Sequence, residues 1–340
     1  MRSENFENYL CKNRIPIHAT IQLTYHCNFR CVHCYETPLK DNRNKELSFD
    51  DWKRILHVLH DNGCLFLAFT GGEILTVPFW NDIYKFAYDL GFKITITTNG
   101  SLITPEIIDM FSRKKPEQVH ISLYGMSEST YSCFCRKSGV FPIVTNNILA
   151  LRESDINTVI MFLTNTINFN DLNGAIAFAK KSGCMFYQFY HMRSYVDGNC
   201  SPKKYRLDPE KLVAIQPLDE LSILKYKVLE DKQQWTAGYK SCNAGLTSIM
   251  IDPYGNAFLC DSIPGERYNL LDTEFKEAWS NLYAQRKKYI EIPSVCSACE
   301  KRELCGLCAP TLLMEYGSCQ KRPSRECSYS ATLRNALGGL

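Results

Sequence analysis

Residues 27–34 read CNFRCVHC and place three thiols, those of Cys27, Cys31 and Cys34, in one short loop. The apolar run Ile17–Leu23 comes before this loop and has the β-branched character of a buried strand. In α/β proteins the loops that follow the strands form the ligand-binding face, so the spacing C-x3-C-x2-C predicts a reactive site there. Three thiolates can hold three corners of a cubane cluster and leave its fourth metal open to a ligand.

Short apolar runs alternate with helical patterns over residues 17–190, which predicts an α/β fold. Further strands are predicted at Cys64–Phe69, Phe92–Thr98, Gln118–Leu123, Thr158–Leu163 and Met185–Tyr190. Helices are predicted at Phe79–Leu90, Pro105–Phe111, Phe141–Arg152 and Leu172–Ser182, and after a capping segment at Ser48-Phe49-Asp50-Asp51. Six strand–helix units in succession indicate a parallel sheet covered by helices, either a partial barrel or an open sheet.

The composition of the 340-residue chain is that of a folded globular protein, with 45% hydrophobic and 22% charged residues. Lys+Arg 39 against Asp+Glu 36 leaves a net charge of +3, which is too small to predict a nucleic-acid or anionic-membrane partner. No apolar run reaches the roughly 18 residues of a membrane span, and the polar N-terminus differs from a signal peptide. These features predict a cytoplasmic protein with neither a nucleic acid nor a membrane as partner.

Cysteine is the most informative residue type, because the chain has 17 of them. An odd number excludes complete pairing into internal disulfides, and the cysteines gather within residues 27–34 and 296–327. In a cytosolic protein, clustered thiols more often bind metal or perform redox chemistry than form disulfides. Thiolates favour zinc, copper(I) or iron–sulfur clusters, and a zinc site completed by His26 or His33 also fits the first group.

The first group resembles the signature of the radical S-adenosylmethionine (radical SAM) enzymes, which Cys27, Cys31, His33 and Cys34 match in type and spacing. The resemblance extends over residues 17–190 and implies a partial (β/α)6 barrel similar to a TIM barrel. It implies that the three thiolates bind a [4Fe–4S] cluster and that S-adenosylmethionine (SAM) chelates the open iron. One electron from the reduced cluster would then release a 5′-deoxyadenosyl radical.

Further landmarks of this family follow the later strands in order. Thr70-Gly71-Gly72-Glu73 matches an element whose glycines let the backbone approach a ligand closely, and Arg136 matches an arginine that pairs with the methionyl carboxylate. A Gly-Gly turn and a surface arginine are the purely structural alternatives. The residues implied to contact SAM are Tyr35, Gly71, Gly72, Glu73, Thr98, Asn99, Ser122, Arg136, Leu163 and Gln188.

The C-terminal cysteines resemble the SPASM extension of radical enzymes that modify peptides and proteins. The pair Cys242 and Cys260 and the later C-x2-C-x5-C run match that pattern, whereas the gap before Cys308 is one residue short. A zinc ribbon is the alternative for the later run taken alone. The ligands implied for two auxiliary [4Fe–4S] clusters are Cys242, Cys260 and Cys308 for the first, and Cys296, Cys299, Cys305 and either Cys319 or Cys327 for the second.

Two details of this extension bear on its chemistry. Residues 234–241 contain no cysteine, so an open iron, a water or the spare tail cysteine would complete the first auxiliary cluster. Asp261 directly follows Cys260 and matches an aspartate that acts as a base toward the substrate in sulfatase-maturating relatives. A turn aspartate is the alternative for Asp261.

These features divide the chain into four predicted parts. They are an N-terminal extension at 1–16, a radical SAM core at 17–194, a linker with a bridging helix (219–233) at 195–241, and a small cysteine-rich iron–sulfur domain at 242–340. A hairpin is predicted within residues 247–260 and a helix near Phe275–Tyr289.

The resemblance implies an oxidoreductase whose adenosyl radical abstracts a hydrogen atom from a peptide or protein, as in ribosomal peptide maturation. Only 26 residues precede Cys27, so a separate peptide-recognition protein is expected, with a reductant such as flavodoxin or ferredoxin. Maturation of an anaerobic sulfatase, or dehydrogenation of a carbohydrate or small molecule, is the alternative within the class. A zinc-binding module or an electron carrier is the alternative without catalysis.

Overall fold

The computed structural model describes residues 2–34, 45–194, 201–215, 242–289, 296, 299–301, 304–305, 308–318 and 321–337. Within these residues one sheet runs through the molecule. Its strands are β1 (His18–Gln22), β2 (Phe66–Thr70), β3 (Lys93–Thr98), β4 (Gln118–Ser122), β5 (Thr158–Leu163), β6 (Met185–Phe189), β7 (Ser248–Ile251), β8 (Asn256–Phe258) and β9 (Tyr268–Asn269). Their spatial order is β6-β5-β4-β3-β2-β1-β7-β8-β9.

Strands β1 to β6 run parallel, and each lies beside the next one in sequence. Parallel neighbours need a crossover connection between them, and helices supply it. The six strands predicted from the sequence are confirmed, and so is the α/β partial barrel. The α-helices cover Arg2–Asn13, Phe49–Asp61, Trp80–Asp89, Pro105–Arg113, Glu128–Cys135, Phe141–Glu153, Leu172–Ser182, Pro209–Ala214, Phe275–Tyr289, Ala309–Tyr316 and Ser324–Ala336.

The helix Phe49–Asp61 shows how the sequence fixes these elements. The Ser48 hydroxyl accepts a hydrogen bond from Asp51 N (3.2 Å), and the Asp51 carboxylate accepts one from Ser48 N, which completes the predicted capping box. Its apolar residues at three- and four-residue spacing face the sheet and are buried: Trp52, Ile55, Leu56 and Leu59.

The predicted hairpin near the C-terminus is confirmed as β7 and β8, which pair antiparallel. Strand β7 also pairs in parallel with β1, with His18 beside Ser248. The hairpin therefore continues the barrel sheet, although the sequence pattern assigned it to a separate part of the chain. Periodicity identifies a strand but carries no information on which distant strand lies next to it. The four-part division of the chain stays a prediction.

A second, smaller core lies apart from the main one. Leu212 of helix Pro209–Ala214 packs there with Tyr329 and Leu333 of helix Ser324–Ala336. Neither of these helices is predicted from the sequence, and nor are the helices Arg2–Asn13 and Glu128–Cys135, because their apolar residues show weak periodicity. The helix predicted at 219–233 lies outside the described residues. Among the helices that are described, none has the length and apolarity to cross a bilayer.

Candidate functional site

The cysteine loop 27–34 leaves the carboxyl end of β1 and is held by backbone hydrogen bonds. Arg30 N donates to Cys135 O (3.0 Å), and Val32 N donates to Phe134 O (3.0 Å). These carbonyls lie at the end of helix Glu128–Cys135, where the last carbonyls of a helix lack partners within it. The loop thus takes its shape from a helix that the sequence pattern did not predict.

The three thiols of this loop are close enough for their charges to interact. Burial raises the pKa of the Cys31 thiol well above its ordinary value, and the neighbouring Cys34 and Cys27 thiols raise it further. Burial also raises the pKa of Cys27. A thiolate trio under this penalty is stabilised by a bound metal centre, so the donor set fits a thiolate-ligated cluster.

Within the described parts of the chain, no three Cys, His, Asp or Glu side chains are arranged to hold one metal ion. The cysteines of a cubane ligate separate irons, so they need not converge on one point.

Gly71 and Gly72 lie against residues 24–26, which lead into the cysteine loop. Gly72 N donates to Thr24 O (2.7 Å), and Glu73 N donates to His26 O (2.7 Å). A Cβ on Gly72 would lie 2.1 Å from His26 O, and one on Gly71 would lie 2.4 Å from Thr24 O. Both glycines thus have the backbone of residues 24–26, just before the cysteine loop, as a close neighbour. The approach of a ligand to the same glycines stays a prediction.

Glu73 is completely buried and joins the ends of β2 and β3. Its carboxylate accepts hydrogen bonds from Thr98 Oγ1 (2.7 Å), Asn99 N (2.7 Å) and Leu75 N (3.1 Å). Burial raises the pKa of Glu73, and these hydrogen bonds oppose that shift. The structure thus brings Glu73, Thr98 and Asn99 together beside the cysteine loop, with the carboxylate bound to protein donors.

His33 packs as an aromatic ring beside the thiols. Its ring centroid lies 4.9 Å from that of Phe134 and 5.4 Å from that of Tyr124. Burial lowers the pKa of His33 to about 4, so the ring is neutral at pH 7. Its Nδ1 is buried without a hydrogen-bond partner. The environment of His33 is that of a packed aromatic side chain.

Replacing His33 by phenylalanine is therefore expected to preserve metal binding and to change the free energy of unfolding by less than about 1.5 kcal/mol. Anaerobic reconstitution, followed by measurement of iron and sulfide, checks the first part, and urea denaturation checks the second. If His33 were instead a zinc ligand, the variant would lose its metal.

The other residues expected to contact SAM occupy the same edge of the sheet. Ser122 ends β4, Leu163 ends β5, and Gln188 of β6 donates from Nε2 to Thr164 Oγ1 (3.0 Å). Arg136 follows helix Glu128–Cys135 in the left-handed conformation (φ 55°) and is exposed. Tyr35 lies outside the described residues. The contacts of all these residues with SAM stay predictions.

The C-terminal cysteines gather in two groups within the described residues. The thiol of Cys308 lies near enough to influence the pKa of Cys260, which burial raises. The second group surrounds Arg322, whose pKa is raised by a hydrogen bond to Cys327 and by the nearby thiols of Cys299 and Cys296. Cys319 lies outside the described residues. This grouping agrees with the two ligand sets expected from the sequence, which stay predictions.

Asp261 faces the barrel from the C-terminal segment. It is buried, and Gln22 Nε2 at the end of β1 donates to its carboxylate oxygens at 3.2 and 3.3 Å. Gln22 is 1% exposed and was missed by the sequence analysis. The sequence does offer one indication of its role, because Gln22 is a polar residue at the end of the buried strand β1. Cys260 and Asp261 therefore lie at the edge of the sheet from which the cysteine loop leaves.

Comparison with known proteins shows what this arrangement is similar to. Residues 21–179 match the profile of the radical SAM superfamily. The matched stretch runs from the end of β1 into helix Leu172–Ser182, and so includes the whole cysteine loop.

Two relatives and one solved structure extend the likeness over most of the chain. The AdoMet-dependent heme synthase of Methanosarcina barkeri is 25% identical over 311 residues, which cover 84% of this chain and 89% of that protein. The antilisterial bacteriocin subtilosin biosynthesis protein AlbA of Bacillus subtilis is 23% identical over 329 residues, 93% of this chain and 71% of AlbA. Streptococcus suis SuiB, solved with its precursor peptide SuiA, has a TM-score of 0.73 at 18% identity, covering 96% of this chain and 80% of SuiB. At that identity the SuiB comparison shows a shared fold.

Proposed function

We propose that the protein is a SAM-cleaving enzyme that modifies a ribosomally made peptide, because residues 21–179 match the radical SAM superfamily. The observation that carries the proposal is the half-buried trio Cys27, Cys31 and Cys34 in a loop at the carboxyl edge of a parallel sheet. When bound there, a [4Fe–4S] cluster supplies the electron that cleaves SAM into methionine and a 5′-deoxyadenosyl radical.

The protein's own residues bind and orient the reactants. The main chain of Gly72 and Glu73 holds the cysteine loop in place through Thr24 and His26. Exposed Arg136 presents a planar guanidinium that suits the methionyl carboxylate. Ser122, Leu163 and Gln188 would line the nucleoside side of the site.

The comparisons support a peptide as substrate. AlbA is named for the biosynthesis of the bacteriocin subtilosin, and SuiB was solved with a precursor peptide. Asp261 would act as the base toward the substrate, because its buried carboxylate faces the barrel from beside Cys260. A flavodoxin- or ferredoxin-like reductant and a separate peptide-recognition protein complete the proposed system.

The test is anaerobic reconstitution with iron and sulfide, followed by reduction in the presence of SAM. We expect 5′-deoxyadenosine, and a faster rate of its formation when a peptide encoded beside the gene is added. Reconstituted protein that contains the cluster and forms no 5′-deoxyadenosine would overturn the proposal.

The heme-synthase relative favours a second candidate, an enzyme of heme synthesis. The same assay separates the two when porphyrin-type compounds replace the peptide. The true substrate should accelerate formation of 5′-deoxyadenosine. If the porphyrin accelerates it and the peptide does not, the second candidate replaces the peptide-modifying enzyme.

The C-terminal cysteines are expected to bind iron that SAM cleavage does not require. Changing Cys296, Cys299 and Cys305 together to alanine should remove about one cluster's iron, roughly four atoms per chain. Formation of 5′-deoxyadenosine without substrate should persist, whereas conversion of the substrate should fall at least about tenfold. Iron analysis and product assays on one preparation check both parts. Unchanged iron content would contradict the assignment of these cysteines as ligands.

A further inference from the structure

Two exposed cations lie on the loop that contains the first three cysteines. Arg30 belongs to this loop, and its Nη1 donates to Cys27 O (2.5 Å) and to Phe29 O (2.8 Å). Lys137 comes from a later segment of the chain, and its Nζ donates to Asn28 O (3.4 Å). Both side chains are exposed. Together they form the basic pair of the cysteine loop.

Backbone hydrogen bonds bring the two members of the basic pair to the same surface. Arg30 N donates to Cys135 O (3.0 Å), so the cysteine loop runs beside the chain that leads into Lys137. The Glu128 carboxylate accepts a hydrogen bond from Gly139 N (2.6 Å), which holds the segment that follows Lys137. Two positive charges from distant parts of the sequence are therefore held over the backbone of the cysteine loop.

The charge of the basic pair is open to solvent. None of the ion pairs formed between described residues includes Arg30 or Lys137. The Glu128 carboxylate instead meets main-chain N–H groups, since it accepts from Phe141 N (3.3 Å) as well as from Gly139 N. Exposed cations without a paired carboxylate project a positive potential into solvent, and this potential attracts an acidic partner.

Support of the loop alone does not account for a positive charge at Lys137. Its hydrogen bond to Asn28 O is long, and its Nζ lies 5.7 Å from the ring centroid of Phe29. Exposed contacts of this kind contribute little to stability. The property that distinguishes this side chain is therefore its charge, placed directly over the loop of the first three cysteines.

We propose that the basic pair is the docking surface for an acidic protein that carries one electron and reduces the cluster of the cysteine loop. This inference rests on the proposed function, in which that loop holds the cluster that cleaves SAM. At this surface the carrier would lose one electron and the cluster would gain it, with no bond made or broken. Electron-transfer partners bury small interfaces, and opposite charges guide them into contact.

The test uses a flavodoxin, which is an acidic carrier of one electron. Isothermal titration calorimetry at low salt measures the binding of oxidised flavodoxin to the reconstituted protein. Formation of 5′-deoxyadenosine is then measured with reduced flavodoxin and, separately, with dithionite, which is too small to need a docking surface. For the double variant Arg30→Glu and Lys137→Glu we expect about a tenfold higher Kd and about a tenfold lower rate with flavodoxin. The rate with dithionite should be unchanged.

Lys180→Glu combined with Lys181→Glu is the control. Both lysines are exposed in the last turn of helix Leu172–Ser182, just before β6 begins, at the edge of the sheet opposite the cysteine loop. The two double variants change the net charge equally, so the control should keep the wild-type Kd and rates. Equal losses in the two double variants would overturn the inference, and so would a wild-type Kd in the variant of the basic pair.

Lys137→Glu alone addresses the case in which loss of the Arg30 contacts prevents cluster assembly. Lys137 contacts the loop through one long hydrogen bond, so this variant should keep the cluster and the dithionite rate while binding flavodoxin more weakly. If it also loses the dithionite rate, the basic pair supports the loop and the docking role is overturned. Wild-type protein that forms no 5′-deoxyadenosine with dithionite would instead contradict the proposed function, so the two failures can be told apart.

Discussion

Changing Cys27, Cys31 and Cys34 together to alanine is expected to abolish 5′-deoxyadenosine formation while iron bound to the C-terminal cysteines remains. The three thiols lie in one half-buried loop, and the Cys34 and Cys27 thiols add to the burial that raises the pKa of Cys31, a penalty that a bound metal centre would offset. Without these ligands no open iron is available to bind SAM. Chromatography of reduced reaction mixtures and iron analysis of the same protein measure both quantities.

The matched control is the double variant Cys11→Ala and Cys184→Ala. Both cysteines are half-buried, and they belong neither to loop 27–34 nor to the C-terminal cysteines. The control should retain full iron content and 5′-deoxyadenosine formation. Should the triple variant still produce 5′-deoxyadenosine, the cluster that cleaves SAM would have to be sought elsewhere in the chain.

Replacing Gly72 by alanine is expected to lower the free energy of unfolding more than any other single methyl group added to the barrel. The new Cβ would lie 2.1 Å from His26 O, a main-chain atom that cannot move without displacing Cys27. The hydrogen bond from Glu73 N to His26 O would be lost with it. We expect a loss of about 3 kcal/mol in the free energy of unfolding, together with failure to retain the cluster in loop 27–34. Urea denaturation of the cluster-free protein and iron analysis after reconstitution measure these effects.

Gly174→Ala provides the comparison for that variant. Its Cβ would meet Met126 Cγ at 3.3 Å, and this side chain can rotate away. Alanine also favours the surrounding helix Leu172–Ser182 by up to about 1 kcal/mol over glycine. The control should match or exceed the stability of the wild type. Equal stability of the two variants would contradict the close contact between Gly72 and the loop.

Local sequence patterns predict the barrel well, because each parallel strand is a short buried run whose neighbour comes next in the chain. Strand β5, for example, has the bounds expected from its apolar residues. The Ser48 capping box likewise marks the start of helix Phe49–Asp61. The spacing of Cys27, Cys31 and Cys34 likewise identifies the loop expected to bind metal, since all three lie within residues 27–34.

Contacts between distant segments could not be predicted in the same way. Nothing in Gly71-Gly72 indicates whether a ligand or another loop lies above it, and only the fold places His26 there. The hydrogen bond between Gln22 and Asp261 joins residues from opposite ends of the chain. Asn99 illustrates the consequence, because no local pattern indicates that its amide meets Asn28 and Ser101.

The parallel pairing of β7 with β1 has a consequence for biosynthesis. On the ribosome, β1 is made early and β7 late, so one edge of β1 stays open while most of the chain is translated. An apolar strand with a free edge readily pairs with another chain and aggregates. Truncation before Ser248 should therefore yield insoluble protein even though every cysteine of the first loop is present.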